Sequence, residues 1–190
     1  MGRPRAFDED EAVRAAAGLF ATWGYEGTSV DHLVTGLGVH RGSLYKAFGS
    51  KRGLYLTALR RHLDQEVLPL AGAVAAAPDL AGALVQVVAA YDAGPAAGFL
   101  LLAAAERAQA DPEVAALVDE GLTALDTAIG QVLAAAGAPP GEDGGALAHV
   151  LGAAVLGLRL RARAAGSPPP AGAVLDFAAR LTAGAAGPRH

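Results

Sequence analysis

Thr28–Lys51 reads TSVDHLVTGLGVHRGSLYKAFGSK, and this stretch decides the fold. Val30, Leu33, Val34 and Leu37 recur at helical spacing, which predicts a short helix beginning after Gly27. Thr28 followed by Asp31 is a capping pair for its start. Gly36-Leu37-Gly38 gives a tight break, and a second short helix follows over about 40–48 with Leu44 and Phe48 facing inward. Gly49-Ser50 breaks the chain again, and Ser50 caps a longer helix that opens on Lys51 and runs to about Val67. Two short helices joined by a tight turn allow the second to lie in a major groove while the first crosses the duplex backbone.

Upstream, Asp8 with Glu11 three residues on forms a capping box. The helix it opens is expected to end at Trp23, before Gly24. Val13, Ala16, Ala17, Phe20 and Trp23 are its expected inner face, closing a three-helix core behind the helix-turn-helix. Downstream, Pro69, Pro78, Gly94-Pro95, Pro112, Pro139-Pro140 and Pro168-Pro169-Pro170 cut the chain into helix-sized pieces. Helices are expected near 79–91, 95–109, 112–136, 143–164 and 170–183. Asp111-Pro112-Glu113 is a well-formed start: a capping Asp, Pro at the first helical position and an acid in the first turn. The expectation is an all-α protein of about nine helices. A helix-turn-helix domain over residues 1–50 precedes a helical body over 51–190.

Composition agrees. The hydrophobic fraction is 53% and the aromatic fraction 5%, so the core must be built from Leu, Val and Ala. The net charge of −4 hides a split. Residues 1–63 carry nine Lys/Arg and six Asp/Glu, whereas residues 64–190 carry six and thirteen. That is a basic module on an acidic body. The absence of Cys rules out disulfides, Cys-based zinc sites and thiol chemistry. The N-terminal MGRPRAF turns acidic at Asp8, and no apolar stretch reaches the roughly eighteen residues of a membrane span. A soluble cytoplasmic protein is the expectation.

In a helix-turn-helix, the N-terminal part of the second helix faces the bases. His40, Arg41, Gly42 and Ser43 occupy that place. Arg41 has the donor pattern for a guanine edge, Gly42 permits close approach of backbone, and Ser43 suits a base or a phosphate. Tyr45, Lys46 and Lys51 follow, and Thr28 stands where a helix N-terminus points amides at a phosphate. Arg41 is read either as a base contact or as a solvated or phosphate-bound side chain. Tyr45 is read either as a phosphate contact or as a core aromatic with its hydroxyl outward. Arg3 and Arg5 either reach an adjacent minor groove or backbone, or belong to a free tail.

GRPRAF, FATWGYEGTSVDHLV and GVHRGSLYKAFGSKRGLY together resemble the N-terminal domain of the TetR (tetracycline repressor) family, over Gly2 to about Leu59. The resemblance implies a homodimer of nine- or ten-helix chains and, in many members, a repressor released by a ligand. It assigns Thr28, Tyr45 and Lys51 to phosphate contacts, and His40, Arg41, Gly42 and Ser43 to the base-reading helix. It also implies a dimer interface formed by the last two long helices.

The body carries no catalytic cluster, Gly-rich phosphate loop or metal triad, so no enzyme, cofactor or metal is expected. His149, on an apolar helix, is expected to be a core or interface residue. An effector pocket between the fourth and seventh helices would be lined by Leu63, Val67, Tyr91, Phe99 and Leu102, which otherwise are ordinary core. Such a pocket suits a small apolar or aromatic molecule. The reading is therefore a sequence-specific regulator of transcription, a ligand-released repressor binding a palindromic double-stranded operator as a homodimer. A DNA-binding regulator with no small-molecule effector is the alternative.

Overall fold

Asp8 opens the first helix in the manner its sequence implies. Its carboxylate accepts the amides of Asp10 at 2.9 Å and Glu11 at 3.1 Å. A cap of this kind contributes about 1 kcal/mol. The computed structural model describes residues 8–90, 96, 98–137, 142–166 and 172, and among these it shows helices and connections but no strand. The helices are α1 (Glu9–Gly27), α2 (Val30–Leu37), α3 (Arg41–Phe48), α4 (Lys51–His62), α5 (Leu68–Ala75), α6 (Leu80–Ala90), α7 (Phe99–Glu106), α8 (Pro112–Ala135) and α9 (Glu142–Ala165). A π-helical turn, Leu63–Val67, stands between α4 and α5. The all-α expectation holds. The helix expected over 170–183 falls outside the described residues but for Gly172.

The chain divides into two compact units: Met1–Gln65 with Gly94–Asp119, and Glu66–Ala93 with Glu120–His190. In the first, α1 packs on α2, α4 and α7, and α3 packs on α2 and α4. Its core is Val13, Ala16, Ala17, Phe20, Leu33, Leu44, Leu54, Tyr55, Ala58, Leu59, Leu63, Phe99 and Leu100, all buried. Phe20, Tyr55 and Phe99 meet there, with Tyr55 edge-on to Phe20 at 4.8 Å and to Phe99 at 5.3 Å. Such contacts add about 1 kcal/mol each beyond area burial. In the second unit α6 packs on α5 and α9. Leu84, Val87, Ile129, Val132, Leu133, Leu151 and Val155 are buried in it.

Several expectations are corrected. Trp23 is 60% exposed and is not part of the core. The buried stripe of α1 continues from Phe20 to Gly24, four residues on, which leaves Trp23 off the face. Gly24 does break the helix, at φ 71° and ψ 178°, but helical winding resumes to Gly27. The cap of α2 is Ser29, not Thr28; Ser29 Oγ accepts the amide of His32 at 3.0 Å. Pro69 does not end a helix. It lies in the first turn of α5, where its missing N–H is tolerated, and the chain ahead of it is wound as the π turn. α7 begins at Phe99, later than residue 95, because Gly98 at φ 89° occupies its N-cap. His149 is exposed rather than core, with Nδ1 2.8 Å from Asp126 Oδ2. Among the described residues no helix is long and apolar enough to cross a membrane, and no cluster of ligating side chains suits a metal.

Candidate nucleic-acid interface

The turn between α2 and α3 is fixed by backbone chemistry. Gly38 takes a left-handed conformation at φ 62°, which lets the amide of Val39 reach the carbonyl of Val34 at 3.2 Å. This is the pairing of a Schellman turn, in which glycine avoids the Cβ penalty. Leu33 and Leu44, both fully buried, anchor α2 and α3 to the core. The second helix is thereby anchored from behind, with His40, Arg41 and Gly42 at the surface.

His40 is the N-cap residue of α3, exposed and making no side-chain capping bond. Arg41 and Gly42 are exposed, and Ser43 is half-buried. Nothing lies within 4 Å of where a Cβ on Gly42 would sit. Tyr45 is 41% exposed and Lys46 is exposed in the last turn. These six residues lie within one short helix and its cap. The side chain of Tyr45 is at the surface rather than in the core.

The other two expected anchors sit differently. Thr28 is fully buried, and its hydroxyl donates to the carbonyl of Gly24 at 2.6 Å. Its side chain is a brace across the α1 kink, and Ser29 is the exposed hydroxyl at the start of α2. Lys51 is half-buried, and its ammonium donates to the carbonyls of Tyr25 at 2.8 Å and Thr28 at 3.1 Å. The same Nζ stands 4.1 Å from the centroid of the Tyr25 ring. A cation at the C-terminal end of α1 satisfies carbonyls that the helix leaves open. Arg3 and Arg5 lie outside the described residues.

The sequence suggests a local ion network among Glu106, Arg107 and Asp111, and Arg107 does pair with Asp111 at 3.5 Å, but their long-range partners and the other supports behind this surface were missed. Glu106, at the end of α7, accepts the amide of Tyr25 at 3.1 Å. A Cβ on Gly24 would run into the Glu106 carboxylate. The Arg107 guanidinium also lies over the Tyr25 ring, 4.5 Å from its centroid. Arg52 holds the buried Asp111 with two bonds, 2.7 and 2.8 Å long, and Glu113 with a third at 2.7 Å. The Arg52 hydrogen bonds bring the Asp111 carboxyl down to about 2. Burial pushes the Tyr55 hydroxyl well above the usual tyrosine range. The remaining one is Asp31, an acid on α2 that Arg41 contacts through Nη2. That hydrogen bond raises the Arg41 guanidinium further above its ordinary value.

Of the residues expected to line an effector pocket, Leu63 and Phe99 are fully buried, Val67 is buried and Leu102 half-buried. Tyr91 lies outside the described residues. Phe99 packs against Phe20, Tyr55 and His62. A separate open cleft of about 520 Å³ lies between α4 and the start of α8, lined by Leu56, Thr57, Arg60, Glu113, Ala116 and Leu117.

Residues 12–58 match the sequence model of the bacterial regulatory proteins, tetR family. The N-terminal segment of the chain is thus similar to the TetR family. Over 70 residues the chain is 43% identical to the HTH-type transcriptional repressor BdcR of Escherichia coli (strain K12), covering 37% of this chain and 36% of that protein. Over 64 residues it is 42% identical to the uncharacterized HTH-type transcriptional regulator YezE of Bacillus subtilis (strain 168), covering 34% and 33%. The chain thus spans about a third of the length of these curated relatives. The likeness in fold is longer. A cysteine mutant of the TetR family transcriptional regulator CifR, complexed with 26-bp double-strand operator DNA, superposes with a TM-score of 0.76 at 28% identity. That match covers 94% of this chain and 98% of CifR.

Proposed function

We propose that the chain is a sequence-specific DNA-binding transcriptional regulator that reads a palindromic operator as a homodimer. The observation that carries this reading is the first turn of α3. His40, Arg41 and Gly42 stand exposed on a helix anchored from behind by Leu44. Arg41 and Ser43 supply donors for base edges, and Tyr45, Lys46 and Lys51 supply the flanking phosphate contacts. At the start of α2 the amides, rather than the buried Thr28 side chain, take a phosphate. Arg3 and Arg5 reach the neighbouring groove. The similarity to CifR, solved with operator DNA, supports the same orientation of α3 here.

In this reading residues 1–50 bind DNA and 51–190 hold the effector and dimer functions. Dimerisation uses the last two helices, because one short helix reads too few bases to find a site unaided. A small apolar or aromatic effector, held by Leu63, Val67, Tyr91, Phe99 and Leu102, releases the DNA by favouring a body conformation in which the two α3 helices lose groove spacing. The similarity to the repressor BdcR supports repression as the output. The protein works as a regulator rather than as an enzyme, in the cytoplasm.

Selection of bound sequences from random duplex DNA, followed by footprinting of the winner, tests this. A palindrome protected on both half-sites is the expected result. Binding without sequence preference would overturn it. A compound panel, read by thermal shift and DNA release, tests the effector; no responding compound would leave a regulator without one.

A further inference from the structure

Asp31 and Arg41 stand in the first turns of α2 and α3, ten residues apart in sequence. Asp31 Oδ1 accepts a hydrogen bond from Arg41 Nη2 at 2.5 Å. Both side chains are open to solvent, at 81% for Asp31 and 53% for Arg41. Exposed ion pairs contribute little to folding stability. A carboxylate on a face that meets a polyanion also repels phosphate. An acid in the first turn of α2 suits the helix dipole, but that local role does not call for its pairing with Arg41 across the turn.

The geometry of the guanidinium does explain it. Its two terminal edges each present two parallel N–H donors, and both edges share Nη2. One Nη2 proton is committed to Asp31. Whichever proton that is, the other edge keeps both donors, and a two-donor edge matches O6 and N7 of guanine. An arginine oriented before binding loses less rotamer freedom when it meets the base. With its charge offset by a neighbouring carboxylate, it is also drawn less strongly to phosphate.

We propose that Asp31 is a positioning residue for base readout: it holds Arg41 as a guanine reader instead of a phosphate contact, and so sets base preference at a position it need not touch. This rests on the reading of the chain as a sequence-specific DNA-binding protein. The Arg41 donor edge supplies the recognition, and Asp31 supplies its orientation.

The test uses the full chain as wild type, D31N, D31A, R41A and the D31A/R41A pair. Affinities are measured by competition on the selected duplex and its single-base-pair variants at one salt concentration. Wild type is expected to prefer guanine at one position, and both Asp31 variants to flatten that preference by roughly tenfold. Preferences elsewhere stay. Affinity for unrelated duplex holds or rises, with a salt dependence steeper by about one phosphate contact. R41A flattens the same position, and adding D31A to it changes nothing further. The near-isosteric D31N separates positioning from any loss of fold, which thermal melting checks. If both Asp31 variants keep the guanine preference, or lose affinity equally at all positions, the proposal is overturned while sequence-specific binding stands. If wild type itself shows no preference at any position, both fall.

Discussion

Arg52 of α4 grips Asp111 with both Nε and Nη2, at 2.7 and 2.8 Å, while Asp111 stands 3% exposed at the head of α8. The same carboxylate accepts the amide of Glu113 at 3.2 Å, so one side chain caps a helix and anchors a cation. It belongs to a set of polar ties behind the helix-turn-helix. Arg107 Nη2 lies 3.5 Å from it, and Arg107 also covers Tyr25.

The pH dependence follows from that carboxylate. Its pKa is lowered from 3.8 to about 2 by the Arg52 hydrogen bonds. The unfolded chain therefore binds more protons between these values, and stability rises with pH through the window. The contribution is complete above about 4 and is lost as pH falls toward 2. Urea titrations of wild type and D111N should differ most at pH 5 to 7 and converge near pH 2. A difference that stays constant over that range would contradict the assignment. At neutral pH, D111A should cost roughly 2–3 kcal/mol, since it strips the partner from Arg52 and the cap from α8.

Gly24 should tolerate no side chain. Its φ of 71° is unfavourable for other residues, and a Cβ would press on the Glu106 carboxylate. G24A should destabilise the protein by about 1–2 kcal/mol in urea unfolding. In an E106A background the steric part disappears and the cost should shrink to the backbone part. Equal costs in both backgrounds would show that Glu106 does not fill that space.

The parts of this architecture that were legible in the sequence are those decided by a few adjacent residues. Asp8, Ser50 and Gly38 announce a cap, a cap and a turn because each solves a local backbone problem. The errors have local causes too. Thr28 and Ser29 are adjacent hydroxyls, and the carbonyl of Gly24 captures the first, leaving the second to cap α2. Trp23 also fits a helical spacing from Phe20, but the buried stripe follows the four-residue step to Gly24 instead. The supports of the candidate interface were not legible. Glu106 meets Tyr25 across 81 residues, and Arg52 meets Asp111 across 59. No period or motif links such pairs, because their meeting depends on the packing of α7 and α4 against α1.

Lys51 should behave as an anchor without selectivity. K51M removes two carbonyl bonds and the contact over Tyr25. Stability should fall by about 1–2 kcal/mol. Affinity should fall by a similar factor for the selected duplex and for a scrambled one in anisotropy titrations. A change confined to one base position would contradict this role.

The two large aromatics of α1 should respond in opposite ways. F20A opens the buried aromatic cluster and should cost about 3–5 kcal/mol. W23A changes an exposed side chain and should stay within about 0.5 kcal/mol. Thermal or urea unfolding of both variants checks the pair, and a large cost for W23A would place Trp23 back in the core.

Amide hydrogen exchange with and without the selected duplex tests most directly whether α3 is the reading surface. Mass spectrometry of peptides across the chain gives the map. The account predicts that added protection concentrates in the segment Thr28–Lys51, strongest around His40–Lys46. Protection that spared α3 and appeared only on other helices, at saturating DNA, would contradict it.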